Sequence, residues 1–580
     1  MKKTLRNLVV PCVLVSVMFL SAAAFGQTYL DYQGTGGNLL TASKLYVISD
    51  PLDPSTRTGT TRLPQAGDYV FVRNETTTTL SGTLTATRVY LGGDQVWPLG
   101  QTEPSKLNPS TMYIVAGGSM NLPLDSTGHF YPGQYYGGTV YQSGGNIQAG
   151  RVIMGPWGMT KTSNLYQLSG GTIKTGVNFY IGYSDGDDVK TSRLDMSGGY
   201  IDVGDIFGIA VGSGCVSTMN LTAGTVDVKA GRLHVGYGGS GTLNQTGGLI
   251  NVAALNWSTH GDGDGASCVY NLSGGTYLAG AQTTFGERGG QATLNMTGGY
   301  LRSDTIFNAG ANGATGVINI SGGTFVHQPS DSSYWVWLGR AMSGGPDGGY
   351  GHMRITGSAV VEMRHLRLGG VFSDIWGNQS RASGRLTISQ SAKLTLKGSI
   401  QPQGDLKENH TLEFLIGSAS NFSFLVEGSA NLKNVTFEIT TEGGYTPSAN
   451  QEWKIMTAGA YANFAQHYMA TPDYELSIVG NDLMLKYTGS ATLLHPGDAN
   501  GDNLVNVGDL GILSGNWGGS GKTWAQGDFT GDGLVNVSDL GMLSGNWGWT
   551  GGGGGTQQVP EPATLGLLAM GGLAMLRRRR

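Results

Sequence analysis

At 580 residues the chain has room for several domains, and its 98 glycines still leave it 39% hydrophobic and only 13% charged. Collagen would need glycine at every third position and disorder would need fewer apolar residues, so both are excluded, and many short strands joined by tight turns are expected. The formal net charge is −5; without residues 1–26 and 563–580, which hold seven basic and no acidic residues, 28 basic stand against 40 acidic, a charge of −12, and such a chain has no electrostatic case for binding nucleic acid.

Lys2, Lys3 and Arg6, the apolar run from Leu8 to Leu20, and Ala24-Phe25-Gly26 before Gln27 predict a secretory signal over residues 1–26. Export permits a disulfide, but the two cysteines left after cleavage, Cys215 and Cys268, stand two repeat units apart and read as free buried thiols.

From residue 140 to 390 the chain repeats itself: "LDMSGGYI", "MNLTAGTV", "LNQTGGLI", "YNLSGGTY", "LNMTGGYL", "INISGGTF" and looser relatives. The Ser or Thr of each phrase recurs at intervals of 24 to 28 residues, stretching to 35 and 33 at the end, which is the signature of a solenoid tolerant of insertions. Leu294 and Met296 flank Asn295, and Ile318 and Ile320 flank Asn319, the alternation of a strand with one apolar face. Glycine pairs such as Gly298-Gly299 then turn the chain, and a second strand phrase ("LHVG", "TTFG") comes before the next unit. These features predict an all-β, right-handed parallel β-helix within residues 27–400, its coils beginning near residue 65 and residues 28–64 forming a leading cap.

Asn220, Asn244, Asn271, Asn295 and Asn319 hold one place in five successive units and predict a ladder of amides along the axis. Gln245 stands where its neighbours carry Leu, Met or Ile, so that coil is expected to be irregular. Residues 401–488, with "LEFLIG", "FSFLVEG" and a hairpin at Gly480-Asn481, predict a β-strand C-terminal cap.

Two matched lines come next, "DANGDNLVNVGDLGILSGNWG" from Asp498 and "DFTGDGLVNVSDLGMLSGNWG" from Asp528. As twelve-residue calcium loops they place Asp498, Asn500, Asp502, Asn506 and Asp509, then Asp528, Thr530, Asp532, Asn536 and Asp539, at positions 1, 3, 5, 9 and 12, with the carbonyls of Leu504 and Leu534 at position 7. A hard cation with six or seven oxygen ligands needs this mixture of carboxylate, amide and carbonyl. Asn503 replaces the glycine of position 6 that Gly533 supplies in the second loop, so the first site is expected to be the weaker. Residues 496–548 resemble a dockerin type I domain, a small α module of duplicated calcium loops, and the resemblance implies a cohesin domain as partner.

After the glycine-rich linker 549–558, residues 559–580 hold Pro560-Glu561-Pro562, an apolar stretch from Leu565 to Leu576, and Arg577 to Arg580. This resembles the PEP-CTERM sorting signal, which implies cleavage by an exosortase-type enzyme, transient insertion in the inner membrane, and delivery to the cell surface, outer envelope or exopolysaccharide matrix. The stretch is short for a stable span, and the basic end suits retention on the cytoplasmic side.

Parallel β-helices include polysaccharide lyases and glycoside hydrolases. The candidate clusters here are Ser184–Asp188 and His260–Gly265, with residues 331–340 as an aromatic platform. Glycine-flanked aspartates between strands read as solvated turns, and Trp335 and Trp337, on one strand face, read as packing. No nucleophile elbow or zinc spacing is present, so no catalytic residue is assigned. The chain as a whole resembles secreted bacterial β-helix proteins with autotransporter-like repeats. The functional reading is a structural or adhesive surface protein that binds polysaccharide; the alternative is a carbohydrate-active enzyme on the same β-helix, tethered through the dockerin-like module.

Overall fold

The computed structural model describes residues 28–32, 39–40, 45–48, 57–59, 63–72, 77–92, 109–133, 137–155, 163–184, 190–253, 257–341, 348–373, 379–403, 410–489, 495–530 and 532–550. The signal segment, the sorting tail and Asp185–Asp188 lie outside them. The chain is a parallel β-solenoid of about 12 turns with 6% helix. It divides into two units: residues up to 446 with 452–472 and 476–485, and residues 447–451, 473–475 and 486 onward.

Each regular coil of the first unit contributes three strands to three parallel sheets, illustrated by Gln291–Met296, Tyr300–Ser303 and Phe307–Ala311. Every strand pairs in parallel with its equivalent one coil on, residue for residue: Leu294 with Ile318, Leu301 with Phe325, Ala309 with Leu338. Strict register stacks like on like, because a slip of one residue would turn every apolar side chain outward. Leu194, Met219, Leu243, Tyr270, Leu294 and Ile318 form one such internal column, each fully buried.

Two glycine columns make the corners. Between the first and second sheets Gly299 has φ 75°, while a Cβ on Gly298 would stand 2.3 Å from the Ser273 carbonyl oxygen of the coil before. The pair is therefore needed for two reasons, space at the first position and a left-handed backbone at the second. In the third sheet a second bend recurs at Gly236, Gly261, Gly286, Gly310 and Gly339, with φ between 63° and 78°. Ala210 takes the same place in its own coil, buried, at φ 58°.

The amide ladder forms as expected. Asn319, Asn295, Asn271 and Asn244 each donate from Nδ2 to Oδ1 of the asparagine one coil earlier at 2.8–3.0 Å, and Asn220 ends the run on Asp195 at 2.7 Å. Gln245 corrects the expectation of an irregular coil, since it keeps register with Leu221 and Leu272 and is fully buried. Its oxygen accepts from the Tyr270 hydroxyl and its amide donates to the Thr276 carbonyl at 2.9 Å. Gln142 is satisfied in the same way by Tyr166 and Thr172, so a core glutamine is matched by a tyrosine one coil on.

Parallel pairing already joins Thr28–Tyr32 to Asp68–Val72, with Leu45–Ile48 antiparallel beside it. It also runs past residue 400, where His410–Ile416 lies between strands Gln379–Ser389 and Thr436–Thr441. Cys215 and Cys268 are buried and form no disulfide, and burial pushes the Cys268 thiol well above its usual range.

Candidate functional site

The second unit is built around two helices, α1 (Val507–Gly515) and α2 (Val537–Gly545), each preceded by one of the matched loops. Asn506 caps α1 by accepting from Gly508 N at 2.7 Å, and Asp509 reaches back to Asn506 N at 2.9 Å; Asn536 and Asp539 repeat this on α2. The other oxygen of Asp509 accepts from Ala499 N, and that of Asp539 from Thr530 N, both at 2.9 Å. Asp498 accepts from Gly501 N and Asn503 N, Asp528 from Gly533 N, and Asp502 and Asp532 from the N–H of Leu504 and Leu534. Asn500 donates to Asp502 at 2.9 Å.

The predicted ligand residues therefore lie together in each loop, with their carboxylates turned to backbone N–H groups. Among the described residues, no group of three or more Asp, Glu, His or Cys converges as a metal cluster. Asn503 adopts φ 63° where Gly533 has 79°, so the two loops share a backbone path and asparagine tolerates the left-handed position. Val505 pairs with Gly548 and Trp549, and Val535 with Gly518 and Gly519, so each loop is sewn to the segment after the other helix. Beneath lie Ala499, Val505, Leu513, Phe529, Val535 and Leu543.

The residues that sequence reasoning missed lie on the outside of the third sheet. Alternation points Tyr180, His234, Thr259, Thr284, Asn308, Trp337 and Arg367 outward at one place in the coils, with Gly208 at that place between Tyr180 and His234. The left-handed bend then folds the strand so that the residue three positions on faces back across it. Tyr180 stacks on Tyr183 with centroids 5.5 Å apart, His234 meets Tyr237 at 5.0 Å, and the Arg340 guanidinium lies 5.4 Å from the Trp337 ring. The outer surface is thus creased along the coils. From the coil of Tyr183 to that of Arg340 the crease runs roughly 30 Å at strand spacing. Upstream it is filled by its own rings, where Phe71, Tyr90 and Tyr131 stack at 4.6 and 4.9 Å.

Charges sit in the crease as well. Asp262 is buried and held by Arg288 through two bonds of 2.6 and 2.7 Å. Glu287, one coil on, has its pKa raised, by burial first and then by the Asp262 charge. His260, which the sequence grouped with Asp262, points the other way: it lies fully buried in the core column between Val235 and Phe285 with neither ring nitrogen bonded. Burial pushes it down to about 3. The two therefore cannot act together as acid and base. Trp335 is buried against His365 at 4.4 Å, and Arg367 lies over both indoles at 4.2 and 4.6 Å, in line with packing.

The family model of the PEP-CTERM protein-sorting motif matches residues 558–580. No curated protein and no solved structure is matched by the chain. Motif and solenoid together define an exported protein with a β-helix fold, sorted to the cell surface through a transient membrane anchor and processed by an exosortase-type enzyme. Among the described residues no helix is long and apolar enough to cross a membrane.

Proposed function

We propose that this is a non-catalytic, adhesive surface protein that holds an extended polysaccharide along the crease and calcium in the tandem loops. The observation that carries the first part is the crease itself, with the partly exposed rings of Tyr180, Tyr183 and Tyr237 toward one end, Trp337 and Arg340 at the other, and buried Asp262 and Glu287 between them. Aromatic faces take the apolar faces of sugar rings, and neighbouring polar groups take their hydroxyls. A furrow that runs along the coils suits a long chain better than a compact ligand. The exported protein should be retained on immobilised polysaccharide without releasing reducing ends or unsaturated products. Replacing Tyr180 and Tyr183 by alanine should weaken retention about tenfold, on the order of 1.4 kcal/mol; undiminished retention rules the crease out as the binding surface.

The rival reading, a lyase or hydrolase, rests on Asp185–Asp188, which lies outside the described residues. Turnover abolished by Asp187→Ala would establish it.

Calcium is supported by the hard-oxygen donor set of Asp498, Asn500, Asp502, Leu504, Asn506 and Asp509 and by the repetition of that set from Asp528 to Asp539. Calorimetric titration of the exported protein should give two sites, the weaker lost in Asp498→Ala; no heat at millimolar calcium ends the idea. A cohesin domain is the partner we propose for this module. Exposed Leu504 and Val507, mirrored by Leu534 and Val537, offer it an apolar surface on each half, and a pull-down tests it.

A further inference from the structure

Several arginines of the solenoid form ion pairs. Arg193 meets Asp195, Arg288 meets Asp262, Arg302 meets Asp304, and Arg385 meets both Glu413 and Glu438. Arg340 and Arg367, like Arg88, Arg151, Arg232 and Arg364, form no ion pair among the described residues. Both are laid over indole rings instead, Arg340 on Trp337 and Arg367 on Trp335 and Trp337. Burial lowers the pKa of each; at Arg340 the Glu287 charge opposes this and the Arg367 charge adds to it. A partly desolvated cation without a direct ion pair costs stability that cation–π contact offsets only in part.

The surroundings are short of partners too. Nη1 of Arg340 is buried with no hydrogen-bond acceptor. Asn308, paired in register with Trp337, is fully buried; its amide donates to Thr284 at 3.0 Å, while its oxygen has no donor. Asn312 likewise leaves Oδ1 unpaired. The nearest carboxylate along this column, Glu287, is separated from Arg340 by the coil that carries Ala311, and the two form no ion pair.

We propose that Arg340 and Arg367, held in place over the indoles of Trp335 and Trp337, form a subsite for the carboxylates of an acidic polysaccharide. This rests on the reading of the crease as a polysaccharide site and names the class of polymer it takes. The planar guanidinium offers two parallel N–H donors that match a carboxylate. The two carboxylates nearest along the column do not rule this out: burial raises the pKa of Glu287, and Asp262, one coil further off, is paired with Arg288.

The test compares the full exported protein with its Arg340→Gln, Arg367→Gln and Arg367→Lys variants on polygalacturonate, dextran and dextran sulfate, at low and at high salt. Thermal melts report folding alongside. We expect the wild type to bind polygalacturonate at least tenfold more tightly than dextran, and each Gln variant to lose that preference while keeping its affinity for dextran. Arg367→Lys, which keeps the charge without the planar fork, should fall between them. Equal binding of dextran and polygalacturonate overturns the subsite but leaves the crease standing. Equal binding of dextran sulfate and polygalacturonate at high salt overturns the choice of carboxylate. Failure of the wild type to bind any of the three overturns the crease and the subsite together.

Discussion

The solenoid and the tandem-loop unit solve the same problem, ordering a chain rich in glycine, by opposite means. In the solenoid each coil is held by its neighbours, through in-register columns such as Leu294 on Ile318 and through amides bonded axially. In the loop unit six buried side chains and a handful of carboxylates do the work, each carboxylate gathering backbone N–H groups of its own loop. Glycine has a different meaning in each. At corners and bends such as Gly298 and Gly286 it marks places where a side chain would clash with a neighbouring coil's backbone, whereas a methyl placed on Gly511 or Gly541 in the two helices would meet nothing within 4 Å.

That contrast can be broken most sharply by one substitution made in both places. Gly286→Ala sets a methyl 2.3 Å from the Thr315 carbonyl oxygen at φ 78°, and should cost about 3 kcal/mol or more. Gly511→Ala, on an open helix face, should instead stabilise by about 0.5–1 kcal/mol. Denaturant melts of the two variants, followed by strand and by tryptophan signals, check both signs.

Acid should separate the two units next. Burial holds His234 and His327 down to about 4 and His260 to about 3. The folded values lie below the unfolded value of about 6.5, so the neutral-state stability is complete above that pH and is lost on acidification. Each such imidazole can remove up to about 1.4 kcal/mol per pH unit between pH 6.5 and its folded pKa. His260→Leu should therefore flatten the acid limb of the solenoid by about 2 kcal/mol at pH 5, read from unfolding midpoints at pH 5 and 7. Burial alone would raise the Asp539 carboxyl, but the N–H groups of Asn536 and Thr530 and the Thr530 hydroxyl override it and hold the pKa down. Its stabilisation is present above the unfolded value of about 3.9 and fades only below it. Asp539→Ala should cost about 2 kcal/mol at neutral pH, through the cap and the loop bonds together. The smallest effect is a gain: Ala210→Gly relieves the lone alanine at φ 58° in the bend column and should stabilise by about 1 kcal/mol, seen as a higher Tm.

Much of the solenoid was legible because its grammar is local. Alternation at Leu294, Asn295 and Met296 fixed the inward face, and recurrence of Asn295 at one period fixed the ladder. Gln245 was misread because its partner, the Tyr270 hydroxyl, stands 25 residues away. The crease was illegible for a related reason. Gly261 reads as a mere turn, yet its left-handed backbone reverses the facing of the residues after it, leaving His260 in the core and sending Asp262 to the outside. The salt bridge from Asp262 to Arg288 spans 26 residues, a distance no motif records. In the loop unit the spacing disclosed which residues gather, but not that Asn506 and Asp509 would also cap a helix.

The axial bonds of the asparagine run all link residues 24 to 27 positions apart, so no long loop must close before a coil can settle on the one before it. A chain threaded outward in extended form can therefore wind up progressively, each finished turn serving as template for the next while the remainder is still in transit. For a protein destined for the surface, assembly and passage need not wait for one another.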